Sequence, residues 1–472
     1  MSHTVTLILG DGIGPEVMLA TKRILEAAET GLSWEIAEAG RVAFEGGISS
    51  GVPPETIDSI SRNRVVLKGP LETPIGYGGK SANVTLRKCF ETYGNIRPVR
   101  SLPGIKGPYA DRLIDFVIVR ENLEDLYVGM EYAFGPTSTQ ALKMISLSGS
   151  DLVLKLAFEV ARSEGRKTIH CATKANILKI TEGLFKRSFE AIAPQYPDIT
   201  PTHLLVDNCA HQMVIHPEQF DVVVMTNMNG DILSDLASGL VGGLGLAPAM
   251  NIGKEVAIFE AVHGSAPQIA GHNIANPTAS LLSAILMLRH LGLMSRANQI
   301  ENALRRTLAQ GLGTVDLIGP EHGLSTHRFA DAVIERLGEP LEPLRQYAPL
   351  LLEEFETEAT TSFSLSPVDM RGFDLFLANP ESDPETLQSA LMECLEGTPF
   401  ALKFLDYRGA VVGKGTPDGI GWRARFLSPD QSITHQDILD ALQKIQNIVQ
   451  WTQIISLSVQ DGKPLFTPSQ GL

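Results

Sequence analysis

Val5-Thr-Leu-Ile-Leu-Gly10-Asp-Gly-Ile-Gly14-Pro-Glu16 is the stretch that decides the fold class. An apolar run from Val5 to Leu9 meets a glycine-rich turn at Gly10 to Gly14, and Pro15 then opens a helix expected to reach about Ala28. Proline suits that first helical position because the N–H it lacks has no intrahelical partner there. The unit is therefore βα. Similar apolar or β-branched runs recur at Arg64 to Lys68, Phe116 to Val119, Lys167 to Ala172, Val222 to Thr226 and Val256 to Phe259. Helical patterns such as Asp151 to Ser163 and Ala279 to Leu291 separate them, which predicts an α/β fold with a mainly parallel sheet and helices on both faces. The glycine turn is not a dinucleotide fingerprint, because its third glycine comes one position too early for G-x-G-x-x-G and Pro15 follows it. Two readings of it stand: a tight strand-to-helix turn, and a loop that a ligand approaches closely.

After Leu337 the texture changes to Gly-Glu-Pro-Leu-Glu-Pro and a poorly periodic acidic stretch through Glu353, Glu354, Glu356 and Glu358, which reads as a linker. Beyond Pro367 a separate α+β module is expected, with strands at Gly372 to Ala378, Phe400 to Leu405 and Gly421 to Leu427 and helices at Asp383 to Leu395 and His435 to Trp451. A chain of 472 residues with 43% hydrophobic and 20% charged residues has ample core for two or three domains, which excludes a disordered tail or a disulfide miniprotein. Its net charge of −15 repels phosphate backbones and anionic lipid, so neither nucleic acid nor membrane is expected as a partner. Cys89, Cys171, Cys209 and Cys394 lie far apart without metal-site spacing, as scattered thiols of a reducing compartment. With no basic leader before Val5 and no apolar stretch long enough to span a bilayer, a cytoplasmic location is expected.

Against the acidic whole, residues 80 to 120 carry eight basic side chains (Lys80, Arg87, Lys88, Arg97, Arg100, Lys106, Arg112, Arg120) and three acidic ones. Arginine's rigid fork matches carboxylates, and with Ser81 and Asn83 nearby the segment suits a multiply charged small anion; a solvated basic face is the alternative. Asp231 and Asp235 fall one turn apart if a helix begins near Gly230, where like charges repel unless a cation sits between them. A hard divalent ion with Asp207 as a third carboxylate fits that pattern, as does a solvated helix start. Lys174 follows a strand end, the place where α/β proteins put ligands, and Tyr127 stands close behind Arg120; each taken alone also reads as an ordinary surface or packing residue.

Taken together these segments resemble the β-decarboxylating dehydrogenase family of isocitrate, isopropylmalate and homoisocitrate dehydrogenases over residues 1 to about 340. Asn227-Met-Asn-Gly-Asp-Ile-Leu-Ser-Asp-Leu-Ala-Ser-Gly-Leu-Val-Gly-Gly-Leu-Gly245 is similar to the family signature throughout. Gly69-Pro-Leu-Glu-Thr-Pro-Ile-Gly with Ser81-Ala-Asn83-Val-Thr-Leu-Arg87 looks like its isocitrate branch. The C-terminal module, with Gly397-Thr-Pro-Phe and Arg423-Ala-Arg-Phe-Leu, is similar to the extra domain of the long bacterial members.

The resemblance implies a non-Rossmann isocitrate/isopropylmalate dehydrogenase-like fold. Residues 1–95 and 245–338 would form a large cofactor-binding domain, 96–244 a small substrate and dimerisation domain, 339–367 a linker and 368–472 the C-terminal domain. It implies oxidative decarboxylation of isocitrate to 2-oxoglutarate, with Mg²⁺ or Mn²⁺ on Asp207, Asp231 and Asp235. Arg87, Arg97 and Arg120 would hold carboxylates, Ser81 and Asn83 would select the substrate arm, and Tyr127 and Lys174 would move protons. A homodimer is implied, since family members supply the equivalents of Lys174 and Asp207 from the partner subunit. Thr73, Glu260, His263, Gly264, Ser265, Ala266, Gln268, Ile269 and Asn276 are implied as cofactor contacts. NADP-using members usually carry Lys-Tyr where this chain has Gln268-Ile269; a neutral Gln offers no charge to a 2′-phosphate, so NAD is expected, with NADP possible through a basic residue of another loop such as Arg328 or His322. A metal-dependent hydroxy-acid lyase or hydratase would use the same arginines and aspartates without needing His263-Gly-Ser-Ala-Pro267 or Asn276-Pro, and a non-catalytic carboxylate sensor would not need Lys174 and Tyr127.

Overall fold

A computed structural model describes residues 3–72, 81–134, 138–339, 345, 347–348, 350, 368–378, 383–407, 410–411, 422–429 and 431–467. The chain divides into two compact units, one of residues 1–127, 144–177 and 181–357, the other of residues 128–143, 178–180 and 358–472.

In order, the chain lays down β1 (Thr4–Ile8), β2 (Ser33–Ala37), β3 (Val65–Lys68), β4 (Gly94–Arg100), β5 (Asp115–Glu121), a hairpin of β6 (Glu131–Phe134) and β7 (Ser138–Ala141), β8 (Thr168–Thr173), β9 (Thr200–Leu205), β10 (Val222–Met225), β11 (Pro248–Ile252) and β12 (Ala257–Ala261). All but the hairpin join one sheet of order β2-β1-β3-β12-β11-β4-β5-β10-β8-β9. Both wings are parallel, as expected, whereas β11 pairs antiparallel with β12 and β4, and β4 antiparallel with β5. The cause of the parallel wings is plain in β5 and β10, Asp-Phe-Val-Ile-Val-Arg-Glu and Val-Val-Val-Met, which are apolar on both faces and therefore need helices on both sides. Reversing β4 sets its first residues beside the last residues of β5, Gly94 opposite Glu121 and Asn95 opposite Arg120. Polar side chains of three strands thereby meet at the carboxyl edge of the sheet, where open α/β sheets bind ligands.

The helices that carry or support this edge are α1 (Gly14–Ala27), α2 (Ala82–Cys89), α3 (Leu147–Ser163), α4 (Val206–Ile215), α5 (Asn227–Leu240), α6 (Thr278–His290) and α7 (Thr326–Ile334). The expected helix near Gly230 starts three residues earlier, at Asn227, and keeps Asp231 and Asp235 one turn apart. Strands β2, β4, β9 and β11 were not expected: Pro, Asn or Gly residues hide the apolar period of the last three, and β2, Ser-Trp-Glu-Ile-Ala, is a short strand with no buried residue.

In the second unit, β13 (Asp369–Leu377), β14 (Ala401–Tyr407), β15 (Ala410–Val411), β16 (Trp422–Leu427), β17 (Trp451–Gln460) and β18 (Lys463–Pro464) form an antiparallel sheet. Helices α8 (Pro384–Cys394) and α9 (His435–Ile445) pack on Phe373, Leu375 and Phe426 of that sheet. The long final helix expected to reach Trp451 is corrected: α9 stops at Ile445, and Trp451 opens a ten-residue strand rich in β-branched residues. The described part of the expected linker is anchored on the first unit, Arg345 to Asp115 at 2.9 Å and Ala348 N–H to Ser163 O at 3.0 Å.

Two loops at the sheet edge generate tests. At Gly12 (φ +57) an added Cβ would lie 2.0 Å from the Ser265 carbonyl, and Ile13 N–H donates to that same oxygen at 2.8 Å. The chain's own backbone is thus what approaches this glycine. Gly12→Ala is expected to cost on the order of 2 kcal/mol in denaturant unfolding, and an unchanged midpoint would contradict the tight approach. At the end of β5, the buried Glu121 carboxylate accepts N–H bonds from Leu123 (2.7 Å) and Glu124 (3.0 Å). Burial pushes its pKa from 4.5 up to about 7, against the pull of those N–H groups. The folded state then binds more protons than the unfolded state between pH 4.5 and 7, so Glu121 stabilises less as pH rises through that window. Glu121→Gln, which cannot ionise, is expected to gain roughly 1–3 kcal/mol on the native protein between pH 5 and 8, and parallel pH profiles would contradict this.

Candidate active site

Arg120 stands next to last on β5 and is 1% exposed, so its guanidinium must find acceptors inside the protein. It finds them at the start of α5, one turn apart: Nε donates to Asn227 O at 3.0 Å, Nη2 to Asn227 Oδ1 at 2.6 Å, and Nη1 to Asp231. This approach requires Gly230, where a Cβ would sit 2.6 Å from Arg120 Cγ. The Tyr127 hydroxyl donates to the other Asp231 oxygen, and the tyrosine ring centroid lies 5.0 Å from the Arg120 guanidinium carbon. Arg97, buried on β4, donates to Ser234 Oγ at 2.5 Å and lies 3.6 Å from Asp231 and 3.8 Å from Asp235.

The electrostatics follow from this crowding. Burial together with Arg97 and Arg87 lowers the pKa of Arg120, while Asp231 opposes the shift. Burial works against ionised Asp231, yet Arg120, the Tyr127 hydroxyl and Arg97 hold it below the usual carboxylate range. Asp235 moves the other way, raised by burial and by Asp231 despite Arg97. Asp231 is thus already paired, whereas Asp235 faces Arg97 at 3.8 Å, and a hard divalent ion would add positive charge beside it.

A buried hydrogen-bonded row extends the site across the sheet. Lys68 on β3 faces Glu260 on β12 and bonds to it; Glu260 also accepts from Arg87 at 3.1 Å and from Asn251 at 2.8 Å. Asn251 Oδ1 accepts from Asn95 Nδ2 at 2.7 Å, and Asn95 Oδ1 accepts from Arg97 Nε at 3.1 Å. Arg87, Arg97 and Arg120 are therefore linked through one network, with Glu260 held well below its usual pKa by Lys68 and Arg87 in spite of burial. Ser81 occupies the N-cap position of α2, and Asn83 lies in its first turn. Asn83 Oδ1 and Arg87 Nε are buried without partners among the described residues, as a site for a polar ligand requires.

Lys174 and Asp207 form a second, separate group. Their ion pair is 2.9 Å long, and among the described residues neither bonds to Asp231, Asp235, Arg97 or Arg120. No group of three metal-binding side chains exists among the described residues, so a single chain does not assemble Asp207, Asp231 and Asp235 into one cation site. The donor set fits a divalent ion at two positions and leaves the third to another source.

Of the expected cofactor residues, Ser265 donates to Glu72 at 2.9 Å, Ala266 takes a left-handed φ of +41, and Gln268 and Ile269 lie in a short 3₁₀ turn. His263 Nε2 is buried without a partner among the described residues, which suits a cofactor contact, and Gly264 is exposed beside it. Asn276 bonds instead to Asp316 (3.0 Å) and Thr278 N–H (3.0 Å), and Glu260 to Lys68, Arg87 and Asn251, so both are engaged by the protein itself. Thr73 lies outside the described residues. Sequence reasoning missed Lys68, Asn95, Asn227, Ser234 and Asn251; Asn227 and Ser234 stand within the family signature, whereas the others have no local signal.

Comparison with known proteins gives the family. Residues 4–333 match the family model described as isocitrate/isopropylmalate dehydrogenase, and residues 368–472 the one described as bacterial isocitrate dehydrogenase, C-terminal domain. A Thermus thermophilus protein named isocitrate dehydrogenase [NADP] is 50% identical, with 99% of this chain and 95% of the relative covered. A Rickettsia bellii protein of the same name is 36% identical, with 99% of each covered. The crystal structure of a Thermus thermophilus protein superposes with a TM-score of 0.94 at 50% identity, covering 99% of this chain and 96% of that one. Both named relatives carry NADP in their names, so the expectation of NAD gains no support from them. On the extent of these matches, the chain belongs to the isocitrate/isopropylmalate dehydrogenase family and carries the C-terminal domain of its bacterial isocitrate dehydrogenases.

Proposed function

We propose that the protein oxidises and decarboxylates isocitrate to 2-oxoglutarate and CO₂, reducing NADP, at sites shared by two copies of the chain. The convergence of Arg97 and Arg120 on the Asp231–Tyr127 pair, with Arg87 joined to them through Glu260, Asn251 and Asn95, carries the reading, because it joins carboxylate binding, cation binding and a proton donor in one network. Arg87, Arg97 and Arg120 bind the substrate carboxylates, and Ser81 and Asn83 hydrogen-bond the arm that distinguishes isocitrate. A bound Mg²⁺ or Mn²⁺ supplies Lewis acidity at the C2 oxygen, and the nicotinamide supplies a hydride acceptor. Asp231 and Asp235 of one chain, with Asp207 of a second copy, would hold the metal ion. Lys174 takes the C2 hydroxyl proton, and Tyr127 returns a proton to C3 after CO₂ has left. Lys174 reaches the substrate from the second chain. An apolar stripe on α5 supports that association: Met228, Ile232 and Leu236 recur every fourth residue and are exposed on the helix that bears Asp231 and Asp235. Neighbouring α4, which bears Asp207, exposes Val214 and Ile215. The 1–95 and 245–338 segments form the cofactor half and 96–244 the substrate half.

The assignment of NADP rests on the names of the full-length relatives and on the surroundings of Gln268. The 269–273 turn, closed by His272 N–H to Ile269 O at 3.3 Å, is tied to the start of α7 by Thr326 N–H to Asn273 O at 3.0 Å. That start carries exposed Arg328, a cation for a 2′-phosphate that Gln268 does not provide. Among the described residues no helix is long and apolar enough to cross a membrane.

The experiment is a spectrophotometric assay of reduced nicotinamide with isocitrate, Mg²⁺ and either cofactor. Turnover that vanishes on chelation and a kcat/KM favouring NADP are expected, and Arg328→Glu is expected to shift the NADP/NAD ratio toward NAD by about tenfold or more. No turnover with either cofactor would refute the dehydrogenase reading. Preference for NAD would refute only the cofactor assignment.

A further inference from the structure

Asp125 lies between β5 and the short turn Leu126–Val128, is 0% exposed, and holds a left-handed φ of +67 that a non-glycine residue adopts only under constraint. The constraint is its carboxylate. Oδ1 accepts Leu126 N–H at 2.8 Å and Oδ2 accepts Met228 N–H at 3.0 Å, while its own N–H donates to Met144 O at 2.8 Å. Met228 is the second residue of α5, whose N-cap Thr226 makes no side-chain cap; the Thr226 hydroxyl donates to Glu182 at 3.2 Å instead. Asp125 therefore caps α5 from a different segment of the chain.

That cap has a geometric consequence. Two residues beyond Asp125 is Tyr127, and three residues beyond Met228 is Asp231, to which the Tyr127 hydroxyl donates. The same two segments are thus tied twice in register, once by Asp125 to Met228 and once by Tyr127 to Asp231. The turn that carries Tyr127 contains no buried residue, so packing of the turn itself does not fix the ring.

We propose that Asp125 is a positioning residue for Tyr127, fixing the phenol's reach to Asp231 and the substrate by docking its turn on the N-terminus of α5. The proposal rests on the proton-donor role given to Tyr127 above. Asp125→Gly retains the left-handed backbone without penalty and removes only the carboxylate; Asp125→Asn tolerates the same φ and retains one acceptor.

The test is a double-mutant cycle with Tyr127→Phe, read as kcat and KM for isocitrate. Asp125→Gly is expected to lower kcat by roughly 10- to 100-fold with KM changed by less than about threefold, and Asp125→Asn to recover most of that loss. In the Tyr127→Phe background Asp125→Gly should add less than about twofold. Losses that multiply in the double variant, or an Asp125→Gly protein with native kcat and only a lower unfolding midpoint, would overturn the proposal by reducing Asp125 to a structural cap. Should Asp125→Gly fail to fold, the smaller loss left in Asp125→Asn is read in the same cycle: a loss that disappears in the Tyr127→Phe background supports the proposal, and native kcat or a multiplicative loss overturns it. Native kcat in Tyr127→Phe alone would remove the donor role and this proposal with it. Native kcat in Asp125→Gly beside a slow Tyr127→Phe would remove only the proposal.

Discussion

A guanidinium with almost no solvent contact has to be paired, and the pairing of Arg120 organises the site. Its partners, Asn227 and Asp231, lie one turn apart at the start of α5, so satisfying one buried cation fixes where that helix begins and which face it turns to the sheet. Asp235, Ser234 and the Arg97 contacts follow from the same placement. Breaking such a pair by removing one partner costs about 3–5 kcal/mol, because the remaining charge stays buried. The absence of a side chain at Gly230 is the steric condition for the contact.

Sheet register extends this local pairing into a network. Lys68 opposes Glu260, and Asn251 opposes Asn95, which in turn opposes Arg120. The antiparallel pairs in the middle of an otherwise parallel sheet are what align these rows, since a parallel β4 would carry Asn95 and Arg97 away from the end of β5. The network leaves Asn83 Oδ1, Arg87 Nε and Asn227 Nδ2 without protein partners among the described residues, and His263 Nε2 likewise has none among them. Preorganised polar atoms of that kind bind a charged ligand without first having to be arranged.

What was legible in the sequence follows the same physics. The runs that became β3, β5, β8, β10 and β12 are apolar on both faces, so their pattern survives without knowledge of neighbours. Strands β4 and β11, Gly-Asn-Ile-Arg-Pro-Val-Arg and Pro-Ala-Met-Asn-Ile, carry buried polar residues whose partners come from other strands, and no local rule marks them as strands. Charge contrast found the arginines, but it did not separate Arg97 and Arg120, which meet at Asp231, from Arg100, which pairs with Asp115 and Glu164. The spacing of Asp231 and Asp235 was readable. That Asp207 and Lys174 stand apart from them within one chain was not, because the separation belongs to tertiary structure and was expected only through the family resemblance.

The central claim is that one working site takes Tyr127, Asp231 and Asp235 from one chain and Lys174 and Asp207 from another. The most direct measurement mixes equal amounts of Tyr127→Phe and Lys174→Met chains, unfolds and refolds them together, and compares activity with the separately refolded variants. If sites are shared in a dimer, half of the dimers are mixed and each mixed dimer holds one site with both residues native, so activity should rise to about a quarter of that of the refolded native protein. Activity that stays at the level of the separate variants would contradict the shared site and place both residues in a site made by one chain.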